Sequence, residues 1–231
     1  MSTSQDRFAG LVRRSSTGES IWHHHHIVLS LLDRWISFSA YPYVEGDLLD
    51  FGCGAQPYRH LFEPKCKRYV SADVAPAHGV VLDLLLNPGE PLPLPDKSFD
   101  TILSTQTLEH VLDVKLYMSE CQRLLRPGGH LILTVPMQWR MHEQPYDYWR
   151  FTRHGVMALL SGVELNVCDL SPCGGAWALA GQIINSHLSE TGRGSRWVYG
   201  FVNWLALWTD GIMKDQDETI GWMCVAQRPA S

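Results

Sequence analysis

"LLDFGCG", residues 48–54, is the stretch on which the fold turns. Apolar residues around an acid read as a buried strand, and the run breaks into two glycines with one cysteine between them. A tight turn needs only one residue without a Cβ. Two of them behind a carboxylate, at a strand's end, leave a length of bare main chain against which a ligand can lie. A purely structural strand-to-helix turn is the simpler reading of the same residues, and the flanking sequence has to decide between them.

Outward from there, short apolar runs alternate with helical segments, the pattern of an α/β domain with a mostly parallel sheet. The spacing predicts strands at Asp47–Phe51, Arg68–Asp73, 80–83, 99–104, 130–136, 163–170 and 222–227, with a helix over 112–125 that stops at "RPGG", residues 126–129. Residues 1–46 read as a loose polar tail (1–20) followed by an entry helix over 21–38, and residues 47–231 as the main domain. Into that domain a tryptophan-rich helical insertion is set at about 174–217. There Trp197, Phe201, Trp204, Leu205, Trp208 and Ile212 fall on one helical face, with Val198, Val202 and Leu207 on other sides. Such a helix is expected to be buried on most sides. A dimer contact, a substrate lid and membrane-surface docking are the other readings.

Composition sets the outer limits. The 231 residues are 45% apolar and 19% charged, and 19 basic against 24 acidic side chains give a net charge of -5. That balance argues against a broad nucleic-acid footprint, which needs a cationic surface. Six scattered cysteines without a C-x-x-C pair read as small core residues of a reducing compartment. No apolar stretch is long enough to span a bilayer as a helix and no secretory signal is legible, so a cytoplasmic protein without an integral membrane segment is expected. His23 to His26 invite a metal reading, but adjacent helical positions splay around the axis and would offer one ion at most two of them. No metal-ligand set is expected.

Asp73 closes the second predicted strand about 20 residues beyond the glycines, where an acid at the edge of the crevice can accept both hydroxyls of a ribose. The third glycine of the dinucleotide fingerprint is missing, since Gly52 and Gly54 are followed by Pro57, and so is the Walker lysine. A nucleoside without a phosphate nest fits better, and a nicotinamide dehydrogenase is disfavoured.

Four stretches, "LLDFGCG", "YVSADV", "LPLPDKSFDTILSTQTLEHV" and "RLLRPGGHLILTVP", resemble in order and spacing the class I S-adenosylmethionine-dependent methyltransferases, of the small-molecule type also seen in ubiquinone biosynthesis. The resemblance implies a Rossmann-like three-layer sandwich whose seven-stranded sheet runs 3-2-1-4-5-7-6 with an antiparallel last strand. It implies that Asp50, Gly52 and Gly54 hold the methionine end of S-adenosylmethionine and Asp73 the ribose. Asp83 and Leu84 would flank the adenine, and Thr105 and Gln106 would line the sulfonium region. Glu109 and His110 match the family's "LEHV" helix start, where substrate contact and plain helix-end packing both remain open.

After the fifth strand, "MQWRMHEQPYDYWRFTRHGV", residues 137–156, is dense in polar and aromatic groups and should overhang the cofactor. A solvated loop is one reading of it. The other is a substrate-recognition loop holding His142, Glu143, Tyr146, Asp147 and Tyr148, with His142 the candidate base and Tyr146 and Asp147 beside it. "STQT" stands where enzymes that methylate DNA amino groups carry an Asn, Asp or Ser before Pro-Pro-Tyr, which disfavours that substrate. The expected activity is methyl transfer to a small molecule or glycan, oxygen being the favoured acceptor. The rival is an inactive scaffold of the same fold that docks a partner enzyme or a membrane surface through the tryptophan-rich insertion, the segment also expected to carry any homodimer contact.

Overall fold

The computed structural model describes residues 20–213 and 217–230, so nearly all of the tail expected to be loose lies outside the described residues. Seven strands form one sheet: β1 (Asp47–Phe51), β2 (Arg68–Asp73), β3 (Leu84–Leu85), β4 (Phe99–Thr105), β5 (Leu125–Pro136), β6 (Asn166–Pro172) and β7 (Gly221–Gln227). Their order is β3-β2-β1-β4-β5-β7-β6. β1 lies parallel to β2 and β4, whereas β7 runs antiparallel to both β5 and β6. The chain works outward from β1 to β3 and then returns to β4, so strand order reverses between β1 and β4. A crevice opens beyond the carboxyl ends of strands at such a reversal. The expected architecture is the one observed.

The edges depart from expectation for local reasons. The third strand is Leu84–Leu85, not 80–83, because Asp83 turns its carboxylate onto Ser71 of β2, accepting from the backbone N–H at 2.8 Å and from Oγ at 2.7 Å. Val81 is 85% exposed. β5 begins at Leu125, directly after the helix, so "RPGG" enters the strand instead of turning before it. Gly129 makes that possible, since a Cβ there would sit 2.8 Å from the Asp100 carbonyl. The sixth strand starts at Asn166 instead of 163, because the preceding helix, α4 (Arg153–Gly162), ends in a turn that takes up Val163 to Leu165.

Helices cover both faces. One core holds Leu49, Phe51 and Ile102 against Tyr117, Met118, Cys121 and Leu124 of α3 (Val114–Leu124). These positions, at i, i+1, i+4 and i+7, form the apolar stripe of α3, and Asp113 caps it by accepting from the Leu116 N–H at 3.0 Å. The other core gathers Leu48, Leu103, Ile132 and Val225 with Ile27, Leu32 and Trp35 of α1 (His26–Trp35) and with Phe62 of the short α2 (Arg59–Phe62). The entry helix is thus shorter than 21–38. It begins at His26, leaves His23 to His25 in the turn before it, and continues as a π-helical turn over Ile36–Ala40.

The insertion forms two helices, α5 (Ala176–Glu190) and α6 (Arg196–Ile212), and corrects the burial expected of it. α6 buries Gly200, Asn203 and Ala206. Its aromatic stripe faces outward, with Trp197 67%, Phe201 60%, Trp204 54% and Trp208 55% exposed. The inner seam is specified by size and polarity. Gly181 of α5 leaves room for Ala206, and Asn185 donates to Asn203 Oδ1 at 2.8 Å. Asn203 in turn donates to the carbonyls of Ile21 and His23 at 2.6 and 2.9 Å, and Asp210 caps α5 by accepting from the N–H groups of Gly175 and Ala178. Small residues and paired amides let the backbones approach closely, which leaves the large side chains no place inside.

Candidate active site

Where the sheet order reverses lies a cavity of about 840 Å³, within the range of small-molecule sites. Its floor is main chain. Gly52 and Gly54 both adopt left-handed φ, +81° and +53°. A Cβ on Gly52 would collide with the Thr107 side chain, whose hydroxyl donates to the Gly52 carbonyl at 3.1 Å. The glycine therefore admits the β4 tail as well as a ligand. Asp73, at the tip of β2, is fixed by the N–H groups of Gly54 at 2.8 Å and Val74 at 2.6 Å. Thr105, Gln106 and Thr107 complete the floor, and Gln106 (φ +50°) is held by its N–H to the Thr134 carbonyl at 3.0 Å. Tyr117 braces it from below, donating to the Phe51 carbonyl at 2.9 Å with its ring stacked on that of Phe51.

Three of the residues expected at the cofactor are not in the cavity wall. The Asp50 carboxyl is buried and takes a hydrogen bond from the Tyr69 hydroxyl; burial pushes its pKa up to about 7 against the pull of that bond. It faces the other way because alternate residues of a strand point to opposite faces. Asp83 is turned onto Ser71, and β3 begins at Leu84, so the wall beyond Asp73 is made by Leu86, Asn87 and Pro88 instead.

The opposite wall is made of side chains. His110, at the end of a 3-10 turn over Leu108–His110, meets His142 with ring centroids 4.7 Å apart, and Glu143, Tyr146 and Tyr148 line the cavity beside them. The His110 Nδ1–H donates to the Tyr146 carbonyl at 2.9 Å, which turns Nε2 toward Glu109 and Glu143, each at 3.9 Å. On His142, Nδ1 faces the Asp147 carboxylate at 3.3 Å. Asp147 is not in the wall. It is fixed by Arg150 at 2.6 and 2.8 Å and by the His142 N–H at 3.0 Å, so it orients His142 rather than reaching into the cavity. Burial alone would raise its pKa, but the Arg150 and His142 bonds outweigh that and hold it at about 2. His142 sits below the ordinary imidazole value, first through burial and then through the neighbouring His110.

Glu109 lies behind these rings with no exposed surface, and among the described residues neither carboxylate oxygen has a hydrogen-bond partner. Burial pushes it up to about 8. One ligand atom each from Glu109, His110 and His142 lie within 4.8 Å of one another. The loop brings these three residues, for which no metal role was expected, together across 31 intervening residues of sequence. The entry helix and the turn before it give a further wall, where His25, Val28, Leu29 and Leu32 line the cavity and the His25 ring lies tilted 5.6 Å from that of Trp139. The histidine run was the one visible signal there.

Fold and crevice together have the Rossmann-like architecture shared with solved methyltransferase-fold structures, with the cavity at the strand-order reversal. The sequence agrees, since residues 49–133 match the family described as "Methyltransferase domain", a little over a third of the chain. The matched stretch resembles S-adenosylmethionine-dependent methyltransferases. The chain is 33% identical over 97 residues to a probable S-adenosylmethionine-dependent methyltransferase of Mycolicibacterium smegmatis, a match covering 39% of this chain and 38% of that one. It is 32% identical over 102 residues to a ubiquinone biosynthesis O-methyltransferase of Cereibacter sphaeroides, covering 38% and 40%. The matched stretch thus spans about 40% of those curated relatives. Among solved structures, the [4+2]-cyclase SpnF superposes with a TM-score of 0.57 at 19% identity, over 95% of this chain and 86% of that one. The 1,6-didemethyltoxoflavin-N1-methyltransferase of Burkholderia thailandensis, with bound S-adenosylhomocysteine, gives 0.56 at 14%, over 88% and 78%. These likenesses show the fold alone. The cavity's volume, its left-handed glycine floor and the fixed Asp73 carboxylate fit the cofactor of the class. No helix among the described residues is long and apolar enough to cross a membrane.

Proposed function

We propose that this chain transfers the methyl group of S-adenosylmethionine to a hydroxyl of a small molecule or glycan. The carrying observation is the two-walled cavity, with a main-chain cradle on one side and a histidine–carboxylate cluster on the other. The cofactor supplies an already activated methyl carbon, so the protein's work is alignment and exclusion of water. In this reading Gly52 and Gly54 seat the methionine end and Asp73 accepts from the ribose hydroxyls. Leu86 and Asn87 take the adenine side, and Thr105 and Gln106 border the sulfonium.

Oxygen is favoured over nitrogen by the second wall. An amine nucleophile needs no base, whereas a hydroxyl must lose a proton as it attacks. His142, uncharged at neutral pH and oriented by Asp147, holds a ring nitrogen able to take that proton, while His110, Glu143, Tyr146 and Tyr148 offer hydrogen bonds to the acceptor. The name of the Cereibacter relative points to the same atom; that of the cyclase shows that the fold alone does not fix the reaction. The test is to incubate the chain with S-adenosylmethionine and a panel of matched hydroxyl and amino acceptors and to follow S-adenosylhomocysteine. Turnover with hydroxyl acceptors is expected; turnover confined to the amines would overturn the choice of oxygen.

A docking role for the insertion belongs to the same reading, because the outward stripe of α6 leaves four large aromatic rings more than half exposed. Large apolar patches of this kind mark interaction sites. A second copy of the chain is the proposed occupant, since the stripe is free of charge at its centre, as the cores of such interfaces are.

A further inference from the structure

We infer that Glu109, His110 and His142 form a binding site for a divalent first-row transition cation, with Glu143 within reach as a further ligand. The first observation is the orphaned acid. Glu109 has no exposed surface and no hydrogen-bond partner on either oxygen among the described residues. A buried carboxyl group with no partner on either oxygen is costly whether or not it is ionised, and a coordinated cation is one of the few groups that relieve it. Its carboxylate is aimed at the histidines, since ligand atoms from all three residues lie within 4.8 Å. Ligands at about 2.1 Å from one ion are at most about 4.2 Å apart, so closure onto a cation needs only a fraction of an ångström from each.

The second observation is how the two rings are held. Imidazoles that bind metal characteristically donate their other N–H to a carbonyl or carboxylate, which fixes the tautomer and turns the remaining lone pair to the ion. Both rings do this. His110 Nδ1–H is bonded to the Tyr146 carbonyl at 2.9 Å, and His142 Nδ1–H to the Arg140 carbonyl at 3.3 Å, with the Asp147 carboxylate, itself clamped by Arg150, also 3.3 Å from Nδ1. Each Nε2 is thereby left as the basic nitrogen. A hydrogen-bonded histidine cluster would instead place an N–H of one ring against Glu109, but the Glu109–His110 separation of 3.9 Å is too long for that bond.

Two imidazole nitrogens and one carboxylate oxygen, with open positions toward a cavity, suit manganese, iron or zinc better than magnesium or calcium, which prefer oxygen alone. The open positions face the space proposed for the acceptor. There the cation would bind a hydroxyl oxygen and lower its pKa, so that the proton leaves to solvent water and His142 serves as a ligand in place of a base. That catalytic link rests on the proposed methyl transfer; the binding of the cation does not.

The test separates them. Full-length protein, purified without an immobilised-metal step because His23 to His26 would retain nickel, is stripped with chelator and titrated with MnCl2 or ZnCl2 alone. Calorimetry follows the binding, and for manganese the loss of the free-ion paramagnetic signal gives a second readout. One equivalent is expected to bind the parent protein beyond any held by His23 to His26, with the affinity of that equivalent falling about 10-fold or more in Glu109→Gln and in His142→Ala. Glu109→Gln keeps the buried shape, and His142, a quarter exposed, can be truncated without opening the core, so S-adenosylhomocysteine titration of both variants verifies the fold. Equal binding by parent and variants, or none by the parent, would overturn the site. Binding that is lost as predicted, in a protein without transferase activity, would leave the site standing and sink the transfer reading.

Discussion

The two walls of the cavity are built from different materials. The strand-tip wall is main chain: Gly52, Gly54 and the 105–107 turn are placed by sheet register, and Asp73 is pinned by two backbone N–H groups. The facing wall is side chain, assembled from a 3-10 turn and a loop whose members reach one another through His110, His142, Asp147 and Arg150. Main-chain geometry tolerates few substitutions because φ and close packing are at stake, whereas a side-chain wall can change its chemistry without disturbing the sheet. In the proposed reading one wall therefore defines the cofactor class, and the other the acceptor.

The sharpest break in that comparison is Gly52→Val. With φ at +81° and Thr107 where the Cβ would go, the variant is expected to lose on the order of 3 kcal/mol of stability and to fail to bind S-adenosylhomocysteine. Thermal unfolding and a ligand titration check both, and a stable, binding variant would show that the floor is not a constrained cradle. On the facing wall, His142→Ala should lower turnover about 100-fold while cofactor affinity changes less than about twofold.

Asp50, behind the first wall, sharpens the contrast through pH. Its folded pKa of about 7 lies above the unfolded 3.8, so its contribution to stability is fully present below pH 3.8 and is lost as pH rises toward and through 7. Asp50→Asn is expected to remove that decline, giving a flatter profile of melting temperature between pH 4 and 8. A profile that keeps the parent's slope would mean the carboxyl is ionised in the fold. The smallest effect belongs to α6. Replacing Trp204 and Trp208 by Ser should change monomer stability by about 0.5 kcal/mol or less, since both are half exposed, yet abolish the proposed self-association, with light scattering as the measurement.

The same division governs what could be read from sequence. The central strands were legible because β1, β2 and β4 are largely buried apolar runs, the first running into Gly52 and the second ending in Asp73, and local pattern and tertiary role coincide there. The edge strand β3 was not, because its position depends on Asp83 reaching back to Ser71. α6 was legible as a helix but inverted in its burial. Apolar periodicity shows which residues share a face, but the inward face was chosen by Gly200, Asn203 and Ala206, which carry almost no hydrophobic signal. At the site, Asp73 and the glycines announce themselves by spacing. The meeting of Glu109 and His110 with His142 depends on how a loop folds back, and the orphaned Glu109 carboxylate appears only once its neighbours are placed.

Calorimetric titration of the parent chain and of Asp73→Asn with S-adenosylhomocysteine tests the central claim most directly, because that carboxylate both fixes the Gly54 N–H and faces the cavity. The account predicts one site in the parent, and an affinity lower by about 10-fold or more in a variant that melts normally. No binding by the parent, or equal binding by both proteins, would contradict it.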